Sequence, residues 1–138
     1  MDINELVLTD DALNLIDSGT WVGDFVEAPE VEFLVCGITS DAAQKALEAK
    51  QARQRQKNRG KPLSTEQLAR CMQETLCEVV LKDWRGLKDG GKDLPYSKEL
   101  ATKFIMSRNG DKFAGLVLKA AQRVDDNAND FVETVKKS

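Results

Sequence analysis

Between Trp84 and Ser97 a stripe of apolar residues at helical spacing ends in Trp-Arg-Gly-Leu, crosses Asp-Gly-Gly-Lys-Asp and restarts at Leu-Pro-Tyr-Ser. Gly86, Gly90 and Gly91 supply backbone freedom, Pro95 cannot continue a preceding helix, and Ser97 can cap the next one. The segment specifies a large shaped loop between two helices, with Trp84, Leu87 and Tyr96 as its apolar anchors. It is a signature of architecture rather than of chemistry.

A chain of 138 residues fits one domain, 1–138, because a chain of about 150 residues can bury roughly 70% of its unfolded surface. No apolar run approaches the ~20 residues that span a bilayer. The opening Met-Asp-Ile-Asn-Glu lacks the basic front and apolar middle of a secretory signal, so a cytoplasmic location is expected. Cys36, Cys71 and Cys77 form no Cys-x-x-Cys pair and are odd in number, which disfavours a disulfide framework or a zinc cage and favours core thiols. The net charge of −3 weakly disfavours nucleic acid as the main partner, although residues 45–61 are basic and 125–130 acidic.

Thr9 precedes a short helical stripe of Ala12, Leu13 and Ile16 that stops at Gly19. Thr20 to Val22 and Val31 to Cys36 then read as a small hairpin, which needs a helix or another copy's strand to lie against. Ser40 can cap a helix facing inward with Ala43, Ala46 and Leu47; beyond Ala52 the apolar stripe ends. Residues 50–62 are a solvated helical extension or a flexible basic linker.

Ser64-Thr65-Glu66-Gln67 is a capping box. Leu68, Cys71, Met72, Leu76, Val79, Val80 and Trp84 follow at three- and four-residue intervals, the pattern of one central core helix. Ser97 opens a helix with Leu100, Ala101, Phe104 and Ile105 inward, closed by Asn109-Gly110. Asp111 caps a last helix striped by Phe113, Leu116, Val117, Ala120, Ala121 and Val124. Phe131, Val132 and Val135 resume that stripe after an acidic patch, and the tail 125–138 either docks or stays mobile. The fold class is mainly α (α+β), a compact helical domain with a small N-terminal β-hairpin.

Gly86-Leu87-Lys88-Asp89-Gly90-Gly91-Lys92 has the spacing of a phosphate-binding loop, but a helix is expected before it, Asp93 replaces the hydroxyl residue and Pro95 follows. With no histidine the chain lacks the usual general base and the commonest metal ligand. Asp10 with Asp11 and Asp125 with Asp126 are adjacent and diverge on a helix, so they read as solvated helix ends. Asp89 and Asp93 lack the calcium-loop pattern. No catalytic, metal or cofactor-binding residue is assigned, and no enzyme activity is expected.

Arg53, Arg55, Lys57, Arg59 and Lys61 could grip phosphates, and neutralising about five would make log K fall with log salt at a slope near −4.5. No aromatic residue is interleaved to stack on bases, which favours a solvated face. An acidic protein surface is a third reading. Trp84 is assigned to the core and Trp21 is left between core and partner surface, because its strand could be an edge.

Gly19-Thr20-Trp21-Val22-Gly23, the strand from Val31 to Gly37, Val80-Leu81-Lys82-Asp83-Trp84-Arg85-Gly86-Leu87 and Leu94-Pro95-Tyr96-Ser97, in that order, resemble the phage tail assembly chaperones of long-tailed, non-contractile phages. The most specific part is structural: Trp84, Gly86, Leu87, Pro95, Tyr96 and Ser97. The resemblance implies a mostly helical, non-enzymatic protein that coats the tape-measure protein, helps recruit the tail-tube protein, self-associates into rings or spirals, and is absent from the mature virion. It also implies a longer form made by ribosomal slippage, for which Lys136-Lys137 is the candidate position. The runner-up function is a small nucleic-acid-binding phage regulator using residues 53–61.

Overall fold

The chain is described from a computed structural model over residues 1–137. Helix α1 (Asp10–Ser18) is capped by Thr9, whose hydroxyl accepts from the Ala12 amide at 3.1 Å, and it stops at Gly19 with φ +95°. Ala12 and Ile16 are buried, but Leu13, expected on the same face, is 47% exposed. A nine-residue helix lying on one neighbour uses only a narrow seam, and Leu13 falls about 100° around the helix from Ala12.

Strands β1 (Thr20–Val22) and β2 (Glu32–Val35) form the expected antiparallel hairpin, with Trp21 opposite Leu34 and Val22 opposite Phe33. The hairpin finds its support within its own chain. A third strand, β3 (Leu81–Arg85), pairs with the other side of β2 and places Trp84 opposite Phe33, giving the order β1-β2-β3.

This corrects the expectation of one helix running to Trp84. Helix α3 (Thr65–Thr75) passes into a π-helical turn, Leu76–Val80, and the chain then extends. The helical appearance of the sequence has a cause in the sheet. Leu81 pairs with Val35 and Asp83 with Leu34, so Lys82 is an extra residue on β3. The resulting bulge brings Leu81 and Trp84, three apart, to the same buried side, and three is also a helical interval.

Helix α2 (Asp41–Lys57) starts at Ser40, whose hydroxyl accepts from the Ala43 amide. The helix runs on through the basic stretch, so residues 50–57 take the helical-extension form. A turn follows in which Arg59 (φ +57°) and Gly60 (φ +82°) are left-handed. The side-chain amides of Asn58 and Gln67 then pair reciprocally at 2.8 and 2.9 Å, joining the end of α2 to the capping box of α3. Lys50 adds ion pairs to Glu78 at 2.6 Å and Glu74 at 3.5 Å. Leu68, expected on the core face of α3, is 44% exposed.

The shaped loop after Trp84 is a second small hairpin, β4 (Lys88–Asp89) and β5 (Lys92–Asp93), turning at Gly90-Gly91 with both φ values positive. It connects a strand to a helix, not two helices. Helix α4 (Lys98–Met106) follows, capped by Ser97, and a 3-10 turn, Arg108–Gly110, leads into α5 (Asp111–Lys137). Asp111 sits in the first turn of α5, where its carboxylate complements the helix dipole.

Val117, Ala120, Ala121 and Val124 of α5 are fully buried against the rest of the core. The small residues let α1 and the sheet approach closely. Non-helical backbone at Asn127 kinks α5, yet Ala128 beyond it is buried and Phe131 and Val132 pack on the core. The side chains of Val135, Lys136 and Lys137, and all of Ser138, lie outside the described residues.

Candidate functional site

The signature residues build one structure. Trp84 is 4% exposed, its indole N–H donates to the Leu94 carbonyl at 2.8 Å, and its ring meets Tyr96 edge to face at 5.0 Å and Phe113 at 5.7 Å. The Leu94 amide donates to the Leu87 carbonyl at 2.9 Å, closing the base of the β4-β5 hairpin. Gly86, at φ +83°, runs so close to the Glu30 carbonyl that any Cβ would collide with it. The Tyr96 hydroxyl donates to the Leu81 carbonyl at 3.4 Å, and burial, with Asp83 and Cys77 nearby, pushes its pKa up.

The outer side of this knot is an apolar cleft of about 480 Å³ between the hairpin, α4 and α5. Leu87, Leu94, Phe104 and Phe113 form its floor; Lys88, Lys103 and Asn109 stand at its rim. Phe104 and Phe113 meet at 5.4 Å, and Phe113 continues through Phe33 to Phe25, so the floor is braced by rings reaching across the core. Gly110 allows the turn after α4 to lie against the Phe104 backbone, where a Cβ would collide. The helical stripes predict that Phe104 and Phe113 face the core. They are half-buried and face the core and the cleft together, a double role that a single helical stripe does not reveal.

Trp21 lies in a second, more polar groove of about 700 Å³ with Glu30, Glu32, Arg85 and Phe131. The Arg85 guanidinium stacks 4.0 Å over the Trp21 ring while its Nε and Nη2 donate to the two Glu32 carboxylate oxygens at 2.8 and 3.1 Å. The hydrogen bond from Arg85 holds the Glu32 carboxyl below the usual range, against a smaller opposing effect of burial. Trp21 is thus half-buried on edge strand β1 under a paired arginine.

Arg53, Arg55 and Lys57 lie in the last turns of α2 and Arg59 in the turn beyond; all four are exposed. They make no ion pair among the described residues. Arg53 and Lys57 share one helix face and Arg55 points about 200° away from Arg53, so the cations surround a tip and form no stripe. None of them lines the Trp21 groove.

A strand does precede the Gly86 to Lys92 run, contrary to expectation, but the run itself folds into the β4-β5 hairpin, with Lys92 opposite Asp89, and the next helix starts only at Lys98, too late to offer its N-terminus to a phosphate. Cys36, Cys71 and Cys77 are buried free thiols, and burial raises the pKa of Cys77, the opposite of nucleophile activation. Among the described residues no group of three or more His, Cys, Asp or Glu side chains is arranged to hold a metal, and no helix is long and apolar enough to cross a membrane.

From the sequence Asp125 reads as a solvated carboxylate at a helix end. Instead it accepts from the Ile38 amide at 3.0 Å, and from the Thr39 amide and hydroxyl at 3.2 and 2.7 Å, fixing the turn that starts α2. A side chain on Gly37 would collide with that carboxylate. Gly37, three residues before the Ser40 cap, is the signal the sequence offers.

Residues 38–137, from this turn through the signature hairpin to the end of α5, match the YdaY prophage protein family. The chain belongs to that family and is a prophage protein, which is the broadest part of what its resemblance to phage proteins implied. Neither a curated protein nor a solved structure matches it.

Proposed function

We propose that the protein is a tail assembly chaperone of its prophage. It holds apolar helical segments of the tape-measure protein, keeps that protein soluble and helps recruit tail-tube subunits. It acts in the host cytoplasm, makes and breaks no bond, and leaves before the virion matures. The observation that carries this reading is the position of the apolar cleft: its wall is the Trp84 to Ser97 segment, the most specific part of the resemblance. An amphipathic helix seated on Leu87, Leu94, Phe104 and Phe113 buries its stripe there while Lys88 and Lys103 meet acids on its flanks. Many copies along one long client act by effective concentration, so each contact can be weak and still release.

Co-expression with a fragment of the tape-measure protein encoded by the same prophage tests this reading. A soluble complex is expected, and a fragment that aggregates equally with and without the protein overturns it.

The exposed, unpaired cations at the α2 tip support a second reading, a nucleic-acid-binding regulator. Four phosphate contacts through Arg53, Arg55, Lys57 and Arg59 correspond to a log–log salt slope of about −3.6. A DNA or RNA titration with that slope, flattened in the Arg53→Gln and Arg55→Gln double variant, favours it over the chaperone.

A further inference from the structure

The segment before α1 is an apolar arm that its own chain leaves uncovered. Its 3-10 turn, Ile3–Glu5, is capped by the Asp2 carboxylate, which accepts from the Asn4 amide at 2.9 Å. Ile3, Leu6 and Val7 remain 64%, 69% and 54% exposed, with Asp2 and Glu5 interleaved. The arm is apolar with acidic neighbours, and the cleft beside the signature hairpin is apolar with a lysine rim.

We propose that the arm of one copy seats in the cleft of the next. Ile3, Leu6 and Val7 lie on the floor of Leu94, Phe104 and Phe113, and Asp2 and Glu5 face Lys88 and Lys103. The arm cannot serve its own cleft. Thr9 is tied to Asn129, whose side-chain oxygen accepts from the Thr9 amide and hydroxyl at 3.2 Å each. Phe113 lies 16 residues before Asn129 on α5, about 24 Å away, whereas Leu6, three residues from Thr9, reaches about 10 Å and Ile3, on the far side of the 3-10 turn, about 16 Å. Each copy therefore offers one arm and one cleft at opposite ends of α5, a head-to-tail contact that extends from copy to copy. The contact stands whether or not the client is a tape-measure protein, and an apolar client helix competes with the arm for the cleft.

Two full-length variants test it, Asn4→Cys on the arm and Asn109→Cys at the cleft rim; the native thiols are buried. With a short bismaleimide, a mixture of the two is expected to give linked dimers carrying one of each, and either variant alone is not. In sedimentation, Leu6→Asp is expected to weaken self-association by about tenfold or more, the equivalent of one buried leucine. Two results overturn the proposal: either variant linking to itself as well as the mixture does, which means a symmetric contact, or a wild-type chain that stays monomeric at millimolar concentration. No client is present in this experiment, so its failure leaves the chaperone reading standing.

Discussion

The indole N–H of Trp84 donates to the carbonyl of Leu94 at 2.8 Å, tying the last strand of the sheet to the end of the hairpin that walls the cleft. Trp84→Phe keeps a ring in the core and removes this donor. The loss of one buried hydrogen bond and of ring volume is expected to destabilise the fold by about 2 kcal/mol in denaturant titration. A change under about 0.5 kcal/mol would mean that the bond does not fix the hairpin.

Gly86 and Gly91 separate two effects of a side chain. Both have positive φ, +83° and +86°, but a Cβ meets the Glu30 carbonyl only at Gly86, while Gly91 has nothing within 4 Å. Gly91→Ala is expected to cost about 1 kcal/mol for conformation alone, and Gly86→Ala about 3 kcal/mol or more because the chain must also shift. Equal costs in thermal unfolding would remove the close approach from the explanation.

Asp125→Asn leaves the shape of the turn before α2 but removes one acceptor oxygen and the charge that strengthens its bonds from Ile38 and Thr39. A loss of about 1–3 kcal/mol is expected, with faster hydrogen exchange at the Ile38 and Thr39 amides. Unchanged exchange there would contradict the assignment.

Two of the ion pairs across the fold respond to opposite ends of the pH scale. The Glu32 carboxyl is lowered by its hydrogen bond from Arg85, so its contribution is complete above the ordinary glutamate range and disappears as pH falls through the folded value. Lys50 is raised chiefly by its hydrogen bond from the ammonium to Glu78, so its contribution is complete below the ordinary lysine range and disappears as pH rises through the folded value. Glu32→Gln should therefore differ from wild type at pH 7 and converge with it near pH 3. Lys50→Met should differ at pH 7 and converge in strong alkali. Glu32 is 40% exposed, so solvent screening holds its effect to about 1 kcal/mol or less. A gap that stays constant over pH 3–7 for Glu32→Gln would refute the linkage.

Elements announced by local chemistry were readable in the sequence. The hydroxyls of Thr9, Ser40, Ser64 and Ser97 each cap the helix that follows, and Thr20 to Val22 and the strand ending near Val35 form a hairpin. Strand β3 was not readable, because Leu81 and Trp84 owe their shared burial to a bulge against a strand nearly fifty residues away in sequence. The cleft was half legible. Its wall came from Gly86, Pro95 and Tyr96, but Phe104 and Phe113 become a floor only when Gly110 folds α5 back beside α4. Asp125 escaped because its partners are three groups in a turn 86 and 87 residues away.

Binding of a purified peptide bearing the apolar helical repeats of the tape-measure protein from the same prophage is the most direct measurement, comparing wild type with Leu94→Asn on the cleft floor. Saturable binding that weakens about tenfold or more in a variant with native spectrum and melting is the predicted result. No binding by the wild type, or equal binding by both proteins, would contradict it.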